Sequence, residues 1–110
     1  MSKINIFIDG KFEIGNQLPL TLIAGPCVME SRQHALDMAG SLQEICNSLH
    51  LNFIYKTSFD KANRTSLDSP RGLGLDSSLA IFDEIKETIG CPLLTDVHSP
   101  SDCDAVSNVI

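Results

Sequence analysis

The sequence predicts an α/β fold of the (β/α)8 TIM-barrel family, with an N-terminal hairpin and about three βα units present. Three observations predict it. Apolar strand-like runs alternate three times with segments of helical periodicity, a hairpin signal precedes them, and the 110 residues hold about three such units. Alternation of this kind means crossover connections and parallel strands.

The elements follow in order. Residues 4–8 and 11–14 flank Asp9-Gly10, a dipeptide suited to a two-residue turn. Residues 20–25, LTLIAG, read as a buried strand. A helix is predicted over 31–49, where Ala35, Met38, Ala39, Leu42, Ile45, Cys46 and Leu49 recur at three- and four-residue spacing and Ser31 stands as N-cap. Residues 52–58, NFIYKTS, form the next strand, and 59–74 is a polar segment carrying Pro70, Gly72 and Gly74. A second helix is predicted over 75–89, with Leu79, Phe82, Ile85 and Ile89 on one face and Gly90 as its stop. Residues 92–97, PLLTDV, form a third strand. Ser99 and Ser101 offer caps for a third helix that contains Ala105, Val106 and Val109.

Three parallel strands alone leave two open edges, whereas parallel sheets are normally covered on both faces. The third helix is expected to be still running at Ile110. A complete barrel takes about 250 residues. The expectation is therefore that 1–110 is the N-terminal portion of a single barrel domain, with a hairpin at 4–14 and βα units from about 20, 52 and 92. The alternative is a small complete α/β domain.

Composition excludes several classes. With 43% hydrophobic and 20% charged residues the chain is not a disordered one. No apolar run reaches the roughly 18 residues of a membrane span, and the N-terminal MSKINIFIDG does not read as a secretory signal. A soluble, cytoplasmic protein is expected. A net charge of −6, one Tyr and no Trp argue against nucleic acid or an anionic membrane as partner. Cys27, Cys46, Cys91 and Cys103 contain no CxxC pair, which removes zinc-ribbon and thioredoxin-type motifs, and no disulfide framework is expected.

The charge is unevenly placed. Lys56, Lys61, Arg64 and Arg71 lie within sixteen residues, a window carrying +2 while the rest of the chain carries −8. A positive island beside a strand's C-terminal end suits a phosphate or carboxylate, although a solvated loop accounts for it as well. Strand alternation puts Ile54, Lys56 and Ser58 on one face, and Leu94, Asp96 and His98 on one face of the next strand. Both strands switch from apolar to polar at the end where parallel α/β proteins build their sites. Cys27, in GPC, sits at the corresponding end of the first strand. Cys46, Cys91 and Cys103 read as structural, and His34 and His50 receive no role. GLGL at 72–75 lacks the preceding strand of a dinucleotide fingerprint.

Ala24-Gly25-Pro26-Cys27 with Glu30-Ser31, then Lys56-Thr57-Ser58-Phe59-Asp60-Lys61-Ala62-Asn63-Arg64-Thr65-Ser66, then Arg71-Gly72, then Thr95-Asp96-Val97-His98 occur in an order and spacing shared with one family. Over essentially its whole length the chain closely resembles the N-terminal part of the 3-deoxy-D-manno-octulosonate 8-phosphate synthases. The resemblance implies a (β/α)8 barrel whose bottom the hairpin closes, a homotetramer when full length, and a condensation of phosphoenolpyruvate, D-arabinose 5-phosphate and water for lipopolysaccharide (Kdo) biosynthesis. By the same resemblance Lys56, Ser58 and Lys61 hold phosphoenolpyruvate, Asn63, Arg64 and Thr65 hold the phosphate of arabinose 5-phosphate, and Lys61, Asp96 and His98 are catalytic. Cys27 implies the metal-dependent class, with a divalent ion of the Mn, Fe, Zn or Co kind whose other ligands lie outside this chain. Two alternatives stay open: the sister activity that makes 3-deoxy-D-arabino-heptulosonate 7-phosphate from erythrose 4-phosphate, and a truncated, non-catalytic fragment. Asn63, where that sister branch typically reads KPRTS, favours the arabinose branch.

Overall fold

In a computed structural model, which describes residues 4–60 and 72–110, an antiparallel hairpin precedes three βα units. Strands β1 (Ile6–Ile8) and β2 (Phe12–Ile14) pair with Ile6 opposite Ile14 and Ile8 opposite Phe12. Asp9 and Gly10 both take positive φ, 49° and 65°. Two such residues in succession are what a type I′ turn needs to match the twist of its strands. The Lys11 amide closes the turn on the Ile8 carbonyl at 2.8 Å.

Strands β3 (Thr21–Ala24), β4 (Asn52–Lys56) and β5 (Leu93–Leu94) form a parallel sheet in that order, with Ile23 beside Ile54 and Tyr55 beside Leu93. Helices α1 (Arg32–Ser48), α2 (Leu75–Thr88) and α3 (Asp102–Ser107) follow the three strands in turn. Phe53 and Tyr55 are buried in one cluster with Ala35, Ala39 and Cys46 of α1 and Ile81, Phe82 and Ile85 of α2. Burying a side chain of this size contributes about 1.5–3 kcal/mol, so these contacts outweigh the exposed Arg32–Glu84 ion pair that also links α1 to α2. Burial pushes the Tyr55 phenol up to about 12, with neighbouring Cys91 adding to it, and raises the Cys91 thiol too. Both are neutral core groups. The other face of the sheet is less covered: Ile23 is 52% exposed and Leu94 39%.

Several expectations need correcting. The third strand is two residues long, not six, because beyond Leu94 side chains replace the ladder. Thr95 Oγ1 donates to the Thr57 carbonyl at 2.8 Å. The second strand likewise stops at Lys56 and continues only as a bridge between Ser58 and Val28. Ile45 and Leu49 are exposed. Each residue turns a helix by about 100°, so Ile45 lies well around from Cys46, and Leu49 is already the C-cap. Cys103 is exposed on α3 rather than structural in the core; all four cysteines are free thiols. Ser31 caps α1 as expected, its Oγ accepting from the His34 amide at 3.1 Å. Ser101 stands at the N-cap of α3 but makes no side-chain capping bond, and the helix ends at Ser107 rather than running on to Ile110. Their hydroxyls meet each other at 2.9 Å, and the Asp102 carboxylate instead accepts from the amides of His98 and Ser99 at 3.3 and 3.2 Å.

Both long helices end on a left-handed residue. Gly90 (φ 82°) ends α2, and His50 (φ 56°) ends α1, with Leu51 donating to the Cys46 carbonyl and His50 to that of Asn47. This is a Schellman closure in which a non-glycine residue carries steric cost. His50→Gly should therefore raise stability by about 0.5–1 kcal/mol, the relief exceeding glycine's unfolded-state entropy. Thermal unfolding checks this; a lowered midpoint would mean that the His50 side chain holds the turn.

Candidate active site

The site is built where β4 and β5 run out. Gly25 follows β3, and a Cβ there would collide with the Lys56 carbonyl, so only glycine allows this close backbone approach. The chain then clasps Ser58 by both backbone groups: its amide donates to the Cys27 carbonyl at 3.4 Å, and its carbonyl accepts from the Met29 amide at 2.8 Å. Alternation along β4 sends Lys56 and Ser58 to the face opposite Phe53 and Tyr55.

Among the described residues, four side chains meet there. Lys56 Nζ donates to Ser58 Oγ at 3.3 Å, and Ser58 Oγ donates to Asp96 Oδ1 at 2.5 Å. Lys56 Nζ also lies 3.9 Å from Asp96 Oδ1, and His98 Nδ1 lies 3.8 Å from Asp96 Oδ2. Asp96 thus sits between two basic side chains. Partial burial works against its ionisation, but the Ser58 hydroxyl, its own backbone amide and the charges of Lys56 and His98 hold the carboxyl below its ordinary value of 3.8. His98 is raised above its ordinary 6.5, first by the hydrogen bond of Nε2 to the Asp60 carbonyl, which burial opposes, and then by the Val97 backbone and the charges of Asp96 and Asp60. An ammonium has three protons and Ser58 takes one of them; Lys56, at 37% side-chain exposure, can present others to an anion.

Of the residues expected at the site, Lys56, Ser58, Asp96 and His98 are brought together. Cys27 is exposed just beyond β3 and joins the cluster through its carbonyl. Lys61, Asn63, Arg64, Thr65 and Arg71 lie outside the described residues. Among the described residues no three His, Cys, Asp or Glu side chains converge as a metal site, so Cys27 is at most one ligand. Sequence reasoning missed two parts. Phe59 was placed in a polar segment, yet it is 5% exposed and stacks on His98; its signal was an aromatic standing alone in a polar run. The Thr95–Thr57 bond, which carries the chain from β5 to Asp96, left no signal beyond two threonines at strand ends.

The DAHP synthetase I family matches residues 3–110. The chain belongs to this family. It is similar to curated proteins named 2-dehydro-3-deoxyphosphooctonate aldolase. The one from Bradyrhizobium sp. (strain ORS 278) is 55% identical over 110 residues, all of this chain and 38% of the relative. The one from Bradyrhizobium diazoefficiens is 54% identical over 101 residues, 92% of this chain and 36% of the relative. The one from Bartonella tribocorum is 50% identical over 111 residues, all of this chain and 40% of the relative. The chain thus spans little more than a third of the length of these relatives. Among the described residues no helix is long and apolar enough to cross a membrane.

The two shifts oppose each other in pH. A raised His98 adds stability that is full below pH 6.5 and lost as pH rises through its folded value; a lowered Asp96 adds stability that is present above pH 3.8 and lost as pH falls through its folded value. Asp96→Asn removes one of the charges that raise His98, so the His98 pKa should fall. A proton NMR titration of the ring reads it, and an unmoved pKa would show that the 3.8 Å approach carries no electrostatic weight.

Proposed function

We propose that this chain contributes the first three βα units of a (β/α)8 barrel that condenses phosphoenolpyruvate with D-arabinose 5-phosphate and water, giving 3-deoxy-D-manno-octulosonate 8-phosphate and inorganic phosphate. The observation that carries the reading is the single network of Lys56, Ser58, Asp96 and His98 at the strand ends, in a chain 50–55% identical to relatives named for that aldolase. Kdo synthesis for lipopolysaccharide is the pathway this product serves, and a homotetramer in the cytoplasm is the assembly that goes with the resemblance.

The chemistry is one carbon–carbon bond formed and one phosphoenol ester lost. The methylene carbon of phosphoenolpyruvate bonds to the aldehyde carbon, water adds to the carbon that bears the phosphate, and that phosphate leaves. Lys56 and Ser58, with Lys61, would hold the phosphoenolpyruvate carboxylate, because a cation and a hydroxyl supply charge and direction together. Asn63, Arg64 and Thr65 would take the sugar phosphate, Arg64 through its bidentate fork. Asp96 and His98 would face the aldehyde, where negative charge builds on oxygen and a protonated imidazole stabilises it. Holding two anions side by side needs several fixed cations, which repels neither substrate and orients both.

Cys27 fits as one ligand of a divalent ion. Cys27 is exposed just beyond the C-terminal end of β3, where its carbonyl meets the Ser58 amide, and a thiolate suits Zn, Fe or Co better than Mg. The ion, when bound, would supply Lewis-acid polarisation of an oxygen, and its remaining ligands would come from outside this chain.

Phosphate release by the complete protein tests the reading, with D-arabinose 5-phosphate and D-erythrose 4-phosphate as rival acceptors. The arabinose ester should be turned over with the higher kcat/KM. Preference for the erythrose ester would move the protein to the heptulosonate branch.

A further inference from the structure

We propose that Phe59 and the Asp60 carbonyl act as a positioning pair for His98, fixing its ring plane and its tautomer so that Nδ1, against Asp96, is the nitrogen that takes up and releases the proton. The proposal deepens the reading given above and rests on it for its kinetic consequence; the placement of the ring stands on geometry alone.

His98 is held from four directions. Its backbone amide donates to Asp102 Oδ2 at 3.3 Å. The Phe59 ring lies against the imidazole with centroids 5.1 Å apart and planes at 28°. Nε2 is engaged by the Asp60 carbonyl, and Nδ1 looks at Asp96 Oδ2 from 3.8 Å. A carbonyl oxygen only accepts, so Nε2 must carry a hydrogen. In the neutral ring the lone pair is then on Nδ1, facing a carboxylate. Protonation of Nδ1 turns that repulsion into attraction, and the aromatic face favours the cation further. Among the described residues, the charged groups around the ring are Asp96 beyond β5, Asp60 beyond β4 and Asp102 at the start of α3, with Lys56 behind Asp96.

Phe59 is a firm support. It is 5% exposed, it directly follows the clasped Ser58, and its carbonyl accepts from the Gly74 amide at 3.2 Å. Gly72 (φ 112°) packs so closely that a Cβ would collide with the Phe59 carbonyl and the Val28 side chain. The same two-residue step, Phe59-Asp60, thus supplies both the face and the acceptor that orient the ring. Neither contact needs to reach a substrate, which makes Phe59 a positioning residue rather than a catalytic one.

Nitrogen NMR of the complete protein with 15N-labelled histidine tests this, His98 being assigned by the signals lost in His98→Gln. Above its pKa the wild-type ring should carry its hydrogen on Nε2. Phe59→Leu should lower the His98 pKa, mix the tautomers and reduce kcat about tenfold with KM for phosphoenolpyruvate unchanged. Phe59→Tyr, which keeps the ring, should restore all three. Hydrogen on Nδ1 in the wild type, or a Phe59→Leu protein with wild-type pKa and tautomer, would overturn the proposal. If Phe59→Leu does not fold, the wild-type tautomer and the Phe59→Tyr protein still decide it. Full activity of His98→Gln would remove His98 from the reaction and leave the ring placement standing.

Discussion

Strand β4 is bonded along both edges, and this double pairing is the constraint from which the scaffold and the site both follow. Ile23 and Ala24 of β3 lie beside Ile54 and Tyr55, while Leu93 and Leu94 of β5 lie beside Tyr55 and Lys56. A strand fixed on two edges has two distinct faces. One receives Phe53 and Tyr55 against α1 and α2. The other is left to Ile54, Lys56 and Ser58. A register slip of one residue would exchange the faces, sending Tyr55 out and Lys56 into the helices. The cost of burying an unpaired ammonium forbids that slip.

The same constraint explains why the functional groups are sharply placed although the sheet is small. Gly25 lets the end of β3 touch the Lys56 backbone, and the chain then closes on Ser58 from the amide and the carbonyl side. Thr95 ties β5 to Thr57 after the regular ladder has ended. Ser58 and Asp96 therefore meet at 2.5 Å from beyond the ends of β4 and β5 without help from a long ladder. Side-chain bonds replace backbone pairing where the chain must diverge to open a site. Ile23 and Leu94 stand exposed on the same face.

Much of this was legible in the residues. Asp9-Gly10 announced its turn, Ser31 its cap and Gly90 its stop, because each depends on local chemistry alone. The polar switch at Lys56-x-Ser58 and Asp96-x-His98 was legible because alternation needs only the strand period. What was not legible depends on contacts between distant segments. The third strand shortened because Thr95 found the Thr57 carbonyl, and Ser101 stands at the N-cap of α3 without a side-chain bond while its hydroxyl meets that of Ser99. His50 adopts a left-handed conformation that its residue type disfavours, since the closure of α1 requires it. Phe59 looked like part of a polar loop and proved to be the wall behind His98. The expectations for Lys61, Asn63, Arg64 and Thr65 fall outside the described residues and rest on the family.

The central claim is that the strand-end network is an anion site anchored by Lys56. Calorimetric titration of the complete protein with phosphoenolpyruvate, comparing wild type with Lys56→Ala, tests it most directly. Loss of a charged hydrogen bond to a carboxylate should weaken binding about tenfold or more, with the fold retained because Lys56 Nζ lies outside the core. Equal affinity in the two proteins would contradict the claim and return the network to a purely structural role.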